Sequence, residues 1–400
     1  MTASAEPAGT ALSKADERRT FGVALGAHAL HDGYSDLIYV LLPIWQSEFG
    51  LGYAAVGLMR AVLAGSMATF QIPAAHLGDR LGAVAVLAGG TALAGLSFCL
   101  AGFSVGIVSL VAVLLLAGIG ASTQHPIGSA LVARAFEGAR SRVALGTYNF
   151  AGDLGKMALP ASAALLISVI PWRPSLIVLG VFGLIVAAAI VVATPATASS
   201  LHVRARTGPG EVQRNEAWSA GFLLLLAIGV IDSATRMAFL TFLPFLLTMQ
   251  GADLPIIGLA LTLVFTGGAA GKLVCGFLGA RIGVLATVCL TEGLTAAGIL
   301  LLPMLPLNAC LLLLPLVGVA LNGTSSVLYG SVPELVAPTA RTRAFGIFYT
   351  ATIGAGAAAP IFYGLAGDAL GVARTMVLIA LVVLATLPLA FALNPKLARG

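Results

Sequence analysis

The stretch His28-Ala-Leu-His31-Asp32-Gly-Tyr34-Ser35-Asp36 interrupts an otherwise apolar run, Phe21 to Leu42, that is long enough to cross a bilayer. At helical spacing His28, Asp32, Ser35, Asp36 and Tyr39 fall at i, i+4, i+7, i+8 and i+11, which makes one polar stripe. Asp32 lies near the centre of the run. A carboxylate at the bilayer midplane is expensive unless it faces protein or a water-filled cavity. The stripe, with His31 on its flank, is therefore a candidate proton or substrate site. The structural alternative is a polar face that only packs helices.

The rest of the chain has the same character. Of its 400 residues 59% are hydrophobic and 9% charged, against about 25% charged in ordinary soluble domains. Mean hydropathy is +1.02. These values describe an all-α integral membrane protein, since lipid cannot satisfy open backbone. The formal charge of +5 comes from basic residues dispersed among short loops, so it is no nucleic-acid signal. Cys99, Cys275, Cys289 and Cys310 sit inside apolar runs without metal-like spacing and read as packing residues. Residues 1–19 are polar, and no signal-peptide cleavage pattern follows, so the first helix is expected to be retained.

Apolar runs of membrane length fall near 21–46, 53–77, 84–103, 106–133, 142–169 and 172–194, then near 218–249, 254–279, 284–303, 307–335, 344–366 and 372–393. Twelve transmembrane helices are expected. The N-terminus, the even-numbered connections and the C-terminus hold fifteen of the 21 basic residues, including Arg80, Arg134, Arg204, Arg281 and Arg343. The odd connections hold Arg173 and Arg374 alone. By the positive-inside rule both termini face the cytoplasm.

The chain repeats itself at an offset of 200–201 residues: Leu77-Gly-Asp-Arg-Leu-Gly82 matches Leu278-Gly-Ala-Arg-Ile-Gly283, Pro43 falls on Pro244, and Pro160 on Pro360. Two pseudo-symmetric six-helix bundles follow, residues 1–194 and 218–400, joined by a polar cytoplasmic linker at 195–217. Such a repeat places a transport site between the halves near the midplane.

The repeat, the loop Gly78-Asp79-Arg80-Leu81-Gly82 and the twelve-span topology resemble the major facilitator superfamily across essentially the whole chain. Three stretches resemble its fosmidomycin-resistance type of efflux protein: His31-Asp32 with Leu42-Pro-Ile-Trp-Gln-Ser-Glu-Phe49, Gly118-Ile-Gly-Ala-Ser-Thr-Gln-His125-Pro126, and Gly146 through Asp153 to Pro160. The chain departs from that pattern at Ile127-Gly128, where the group carries an acidic residue, and at Asp153 and Lys156, where it carries uncharged ones. The resemblance implies alternating access and a gate in which Asp79, beside Arg80, docks on a helix terminus of the opposite half. The second copy has Ala280 in place of the Asp.

Other intramembrane polar residues extend the candidate site. Span five carries Asn149, Asp153, Lys156 and Pro160 on one face, and Asp153 and Lys156 are spaced to pair across a turn. Asp232 and Arg236 form an i, i+4 pair on span seven, while Arg60, Gln124, His125, Lys272 and Asn322 lie on spans two, four, eight and ten. Glu292, on the outer span nine, is set aside.

Proton coupling is expected at Asp32, Asp36, His28, His31 and Asp153, and substrate binding at Arg60, Gln124, His125, Asn149, Lys156, Asp232, Arg236, Lys272 and Asn322. The expected function is proton-coupled export of a small organic molecule by antiport. The alternative is proton-coupled uptake of a small organic anion. A membrane metalloenzyme is a remote third reading, because five histidines are too few for a histidine-rich iron site. The expectation is a monomer of a bacterial inner membrane with no cofactor, no bound metal and no nucleic-acid partner.

Overall fold

The computed structural model describes residues 13–136, 138–195 and 218–397. Among them every regular element is a helix: α1 (Lys14–Phe49), α2 (Tyr53–Leu81), α3 (Ala83–Ala101), α4 (Ile107–Ala121), α5 (Ser129–Ala135), α6 (Gly138–Val169), α7 (Trp172–Ala193), α8 (Ala220–Met249), α9 (Leu254–Leu301), α10 (Leu307–Ser331), α11 (Arg341–Leu370), α12 (Val372–Leu384) and α13 (Thr386–Leu397), with short 3-10 and π turns between some of them. A π-helical turn, Gln124–Gly128, joins α4 to α5 around Pro126 and makes them one span. Likewise α12 and α13 form the last span.

Ten segments are long and apolar enough to cross a membrane by length and composition. One of them, Leu254–Met304, holds two spans that meet at Gly283, whose φ of 82° is non-helical. The charged but buried α1 adds another, which brings the count to twelve. The expected linker lies outside the described residues apart from Pro195.

The sequence repeat has a backbone counterpart. Gly82 (φ 92°) turns the chain between α2 and α3, and Gly283 (φ 82°) makes the equivalent turn in the second half. Only glycine takes such angles without strain. Side-chain caps fix other helix starts: Ser13 accepts from the Asp16 amide at 3.1 Å, Ser219 from the Phe222 amide at 3.1 Å, and Asp253 from the Ile256 amide at 2.9 Å.

The halves meet along two seams, α2 against α11 and α6 against α9. Both seams are tight at the end opposite the chain termini. Gly57 rests on the Pro360 carbonyl and Gly364 on the Tyr53 backbone, approaches that a Cβ would block. The Asp368 carboxylate of the second half accepts from the Tyr53 and Ala54 amides at 2.6 and 3.0 Å, an anion on the positive end of α2. Tyr53 also meets Phe245 edge-on at 5.3 Å. On the α6–α9 seam Thr262 donates to the Met157 carbonyl at 2.9 Å. At the terminal end the corresponding faces part, and Asn149, Phe150, Leu273 and Tyr349 are exposed. The molecule is closed at one end and open at the other.

Candidate functional site

Five helices bring charge to the space between the halves. On α1, Asp32 points one carboxylate oxygen, Oδ2, at the Lys156 ammonium 3.2 Å away, and the other, Oδ1, at the His28 and His125 Nε2 atoms, 3.5 and 3.8 Å away. Span five can approach this closely because Gly155 sits on the Ala29 backbone and Gly152 leaves room beside Asp32. His28 is set from behind. Its Nδ1 lies 2.8 Å from the Tyr148 carbonyl, and the Tyr148 ring stacks on the imidazole at 4.0 Å. A carbonyl can only accept, so Nδ1 carries the proton and Nε2 is the atom left facing Asp32.

The expected pair within span five does not form. Asp153 instead bonds the Lys272 ammonium across the α6–α9 seam, at 2.6 and 2.9 Å, and Lys156 turns to Asp32. Helical spacing brought the two side chains to one face, but each finds an opposite charge on a neighbouring helix at shorter range. The Asp153–Lys272 pair therefore ties the two halves together at the mouth of the open end.

These groups line a cavity of about 280 Å³ that also takes in Asp36, Arg60, Arg236 and Asn322, with Met67, Met237 and Phe265 as its apolar wall. A second space of about 450 Å³ continues it past Asn149, Ser325 and Tyr329 toward the terminal end. Arg60 is fixed near the closed end, its Nε donating to the Tyr39 hydroxyl at 2.9 Å. Arg236 is held loosely. Its terminal nitrogen is 3.7 Å from Asp232, beyond hydrogen-bond range, and its Nε is buried without a partner.

Five expected site residues stand elsewhere. His31, 100° round the helix from Asp32, bonds Thr91 on α3 through Nε2 at 2.9 Å and leaves the cavity. Gln124 is buried against the Tyr148 hydroxyl at 2.9 Å, because the π turn aims its neighbour His125 inward instead. Asp232 faces away from the cavity into the second half, where Glu292 comes within hydrogen-bonding reach of it. The gate pair Asp79 and Arg80 lies in the last turn of α2 at the open end, outside the cavity lining.

Glu292 is the residue that sequence reasoning passed over. Thr287, Thr291 and Thr295, at i, i+4 and i+8 beside it, mark a polar stripe on span nine that turns into the bundle. As for metals, His28, Asp32 and His125 offer three donor atoms within 4.8 Å of one another. The Lys156 ammonium on the same carboxylate opposes a cation there.

Comparisons with known proteins agree with this architecture. A model of the Major Facilitator Superfamily matches residues 24–248 and 224–399. Over 173 residues the chain is 32% identical to the fosmidomycin resistance protein of Escherichia coli strain K12, an alignment that spans 40% of each chain's length. Two crystal structures of a bacterial homologue of the human lysosomal transporter Spinster superpose on it, both inward-facing. The occupied form has a TM-score of 0.80 at 14% identity, covering 96% of this chain and 98% of that one. The unoccupied form scores 0.78 at 14% identity, covering 97% and 99%. At that identity the likeness speaks for the fold alone. With the family match running through both halves, the chain belongs to the Major Facilitator Superfamily and is a multi-pass membrane transporter of small molecules.

Proposed function

We propose that this transporter exports a small polar molecule in exchange for protons, with residues 1–194 rocking against 218–400 about the charged cavity. The observation that carries the reading is Asp32, a carboxylate at mid-span that faces the cavity with a cation on one oxygen and two imidazoles on the other. A proton and a donor group of the substrate compete for such a carboxylate, and competition for one site is what antiport requires. The resistance function named for the E. coli relative supports export. Loop charge supports a bacterial inner membrane with both termini cytoplasmic, which makes the open end cytoplasmic. The test is purified protein in proteoliposomes under an imposed pH gradient, with candidates first selected by thermal shift. Accumulation driven by ΔpH with the proton-rich side opposite the termini supports the reading, and transport indifferent to ΔpH overturns it. In intact cells, impermeant thiol reagents are expected to label cysteines placed at Gly52, Gly102, Pro171, Gly251 and Leu370 but not at Arg206.

A second reading has its own observation. The cavity lining counts four basic side chains, Arg60, Lys156, Arg236 and Lys272, against three acidic ones, Asp32, Asp36 and Asp153. Basic groups facing a low-dielectric enclosure favour an anion, and protonation of Asp32 adds to that attraction, which is the logic of symport. Arg236, which lines the cavity and is held only at 3.7 Å by Asp232, is the group placed to receive that anion. Arg236→Gln is expected to weaken binding of an anionic substrate about ten-fold or more, on the order of 1.4 kcal/mol. Unchanged affinity with a lowered melting temperature would make Arg236 a structural partner of Asp232 only.

A further inference from the structure

The second half holds a buried carboxyl pair that lies outside the central cavity. Asp232 on α8 is 4% exposed and Glu292 on α9 is 1% exposed. Their carboxyl groups are within hydrogen-bonding reach of each other, and the Glu292 Oε1 is buried with no partner. An ionised carboxylate has only acceptors, so two of them in contact hold together only if one carries a proton. Two adjoining buried carboxylates also repel too strongly for both to ionise.

The surroundings supply one charge, not two. Arg236 acts on the pair from one helical turn along α8, 3.7 Å from Asp232. The other groups around the pair are neutral: Thr291 on α9 bonded to Thr324 on α10 at 2.7 Å, Tyr329 on α10, and Thr352 with Phe348 on α11. One guanidinium balances one carboxylate, and a single proton on the pair makes the cluster neutral.

Arg236 also lines the central cavity, and it is the element common to both places. We propose that Asp232 and Glu292 form a proton-binding site, holding one proton between them, and that Arg236 relays its occupancy to the cavity. With the proton present the guanidinium is only loosely engaged and offers its free N–H groups to a ligand. With the proton gone, a second negative charge draws the guanidinium toward the pair and away from the cavity. Proton occupancy and affinity for an anionic group are then linked through one side chain that changes partner. The site is independent of Asp32 and exists whether or not Asp32 couples transport.

Infrared spectroscopy on the purified full chain in lipid tests this without a known substrate. At neutral pH the carbonyl stretch of a protonated carboxyl is expected, slow to exchange in heavy water, shifted when glutamate is labelled with carbon-13, and lost in both Glu292→Gln and Asp232→Asn. It is expected to persist in Asp32→Asn and to return in Glu292→Asp. The pH at which the band disappears is expected to change in Arg236→Gln. Absence of the band in the unsubstituted chain, or its survival in both amide variants, overturns the shared proton. An unchanged pH in Arg236→Gln overturns the relay. Should the amide variants fail to fold, the isotope shift in the unsubstituted chain decides the question alone.

Discussion

Replacing Asp32 by Asn is expected to abolish pH-driven accumulation of substrate while energy-independent exchange remains measurable. The substitution keeps size and hydrogen-bonding capacity but removes the titratable group. It also leaves the Lys156 ammonium without the carboxylate 3.2 Å away. The effect is large because coupling is the whole of the driving force. One charge moved through the membrane potential is worth about 2.3 kcal/mol per 100 mV, or a roughly fifty-fold gradient per proton. Loss of the proton site forfeits that gradient, whereas exchange needs only that loaded carriers interconvert. The measurement is accumulation under ΔpH beside counterflow in the same proteoliposomes. If the variant still concentrates substrate in response to ΔpH, coupling lies elsewhere, and Asp36, Asp153 and the Asp232–Glu292 pair are the remaining carboxyls. A variant defective in both assays would report a lost ligand contact instead.

The transport fold was legible because membrane physics leaves few choices. Run length, loop charge and the internal repeat each constrain topology separately, and they agree. Individual cavity residues were legible for a related reason. A charged group such as Asp32, Lys156 or Lys272 in mid-span must face the interior, and the interior of a two-bundle transporter is mostly its cavity. Partners one turn apart on a helix, such as Asp232 and Arg236, were partly legible, but partners on different helices were not. Periodicity assigns Asp153 and Lys156 to one face of a helix, but whether they bond one another depends on what approaches that face. Here the glycine contacts at Gly152 and Gly155 let α1 in close, and Lys156 takes Asp32.

Two further misses have local causes. The π turn around Pro126 inserts a residue into the register of span four, so an ideal helix does not show that His125 faces the cavity while Gln124 turns to Tyr148. Glu292 shows the limit of reasoning by span number. It does avoid the cavity, as an outer span should, but a glutamate reaches far enough across the bundle to meet Asp232. The polar stripe of threonines beside it was the available signal.

The closed end can be challenged directly, and Gly57→Leu is expected to reduce transport to near background by opening it. A Cβ at Gly57 would stand on the Pro360 carbonyl group and 2.7 Å from the Ile361 amide nitrogen, backbone atoms that cannot yield as a side-chain tip would. The seam has no slack nearby, since Gly364 lies against Tyr53 and Asp368 pins the first two amides of α2. Overpacking of a tight contact costs about 1–3 kcal/mol, and every 1.4 kcal/mol shifts a two-state equilibrium about ten-fold. The penalty falls on the state with this end closed and spares any state in which α2 and α11 part. Alternation needs both states, so trapping either one stops turnover. In a cysteine-free background, Leu240→Cys at the closed end of the cavity should then react with an impermeant thiol reagent from the face opposite the termini. Gly65→Leu on the same helix, where nothing lies within 4 Å, controls for the added side chain. Equal labelling in the two variants, with transport retained in Gly57→Leu, would mean that this seam does not part during the cycle.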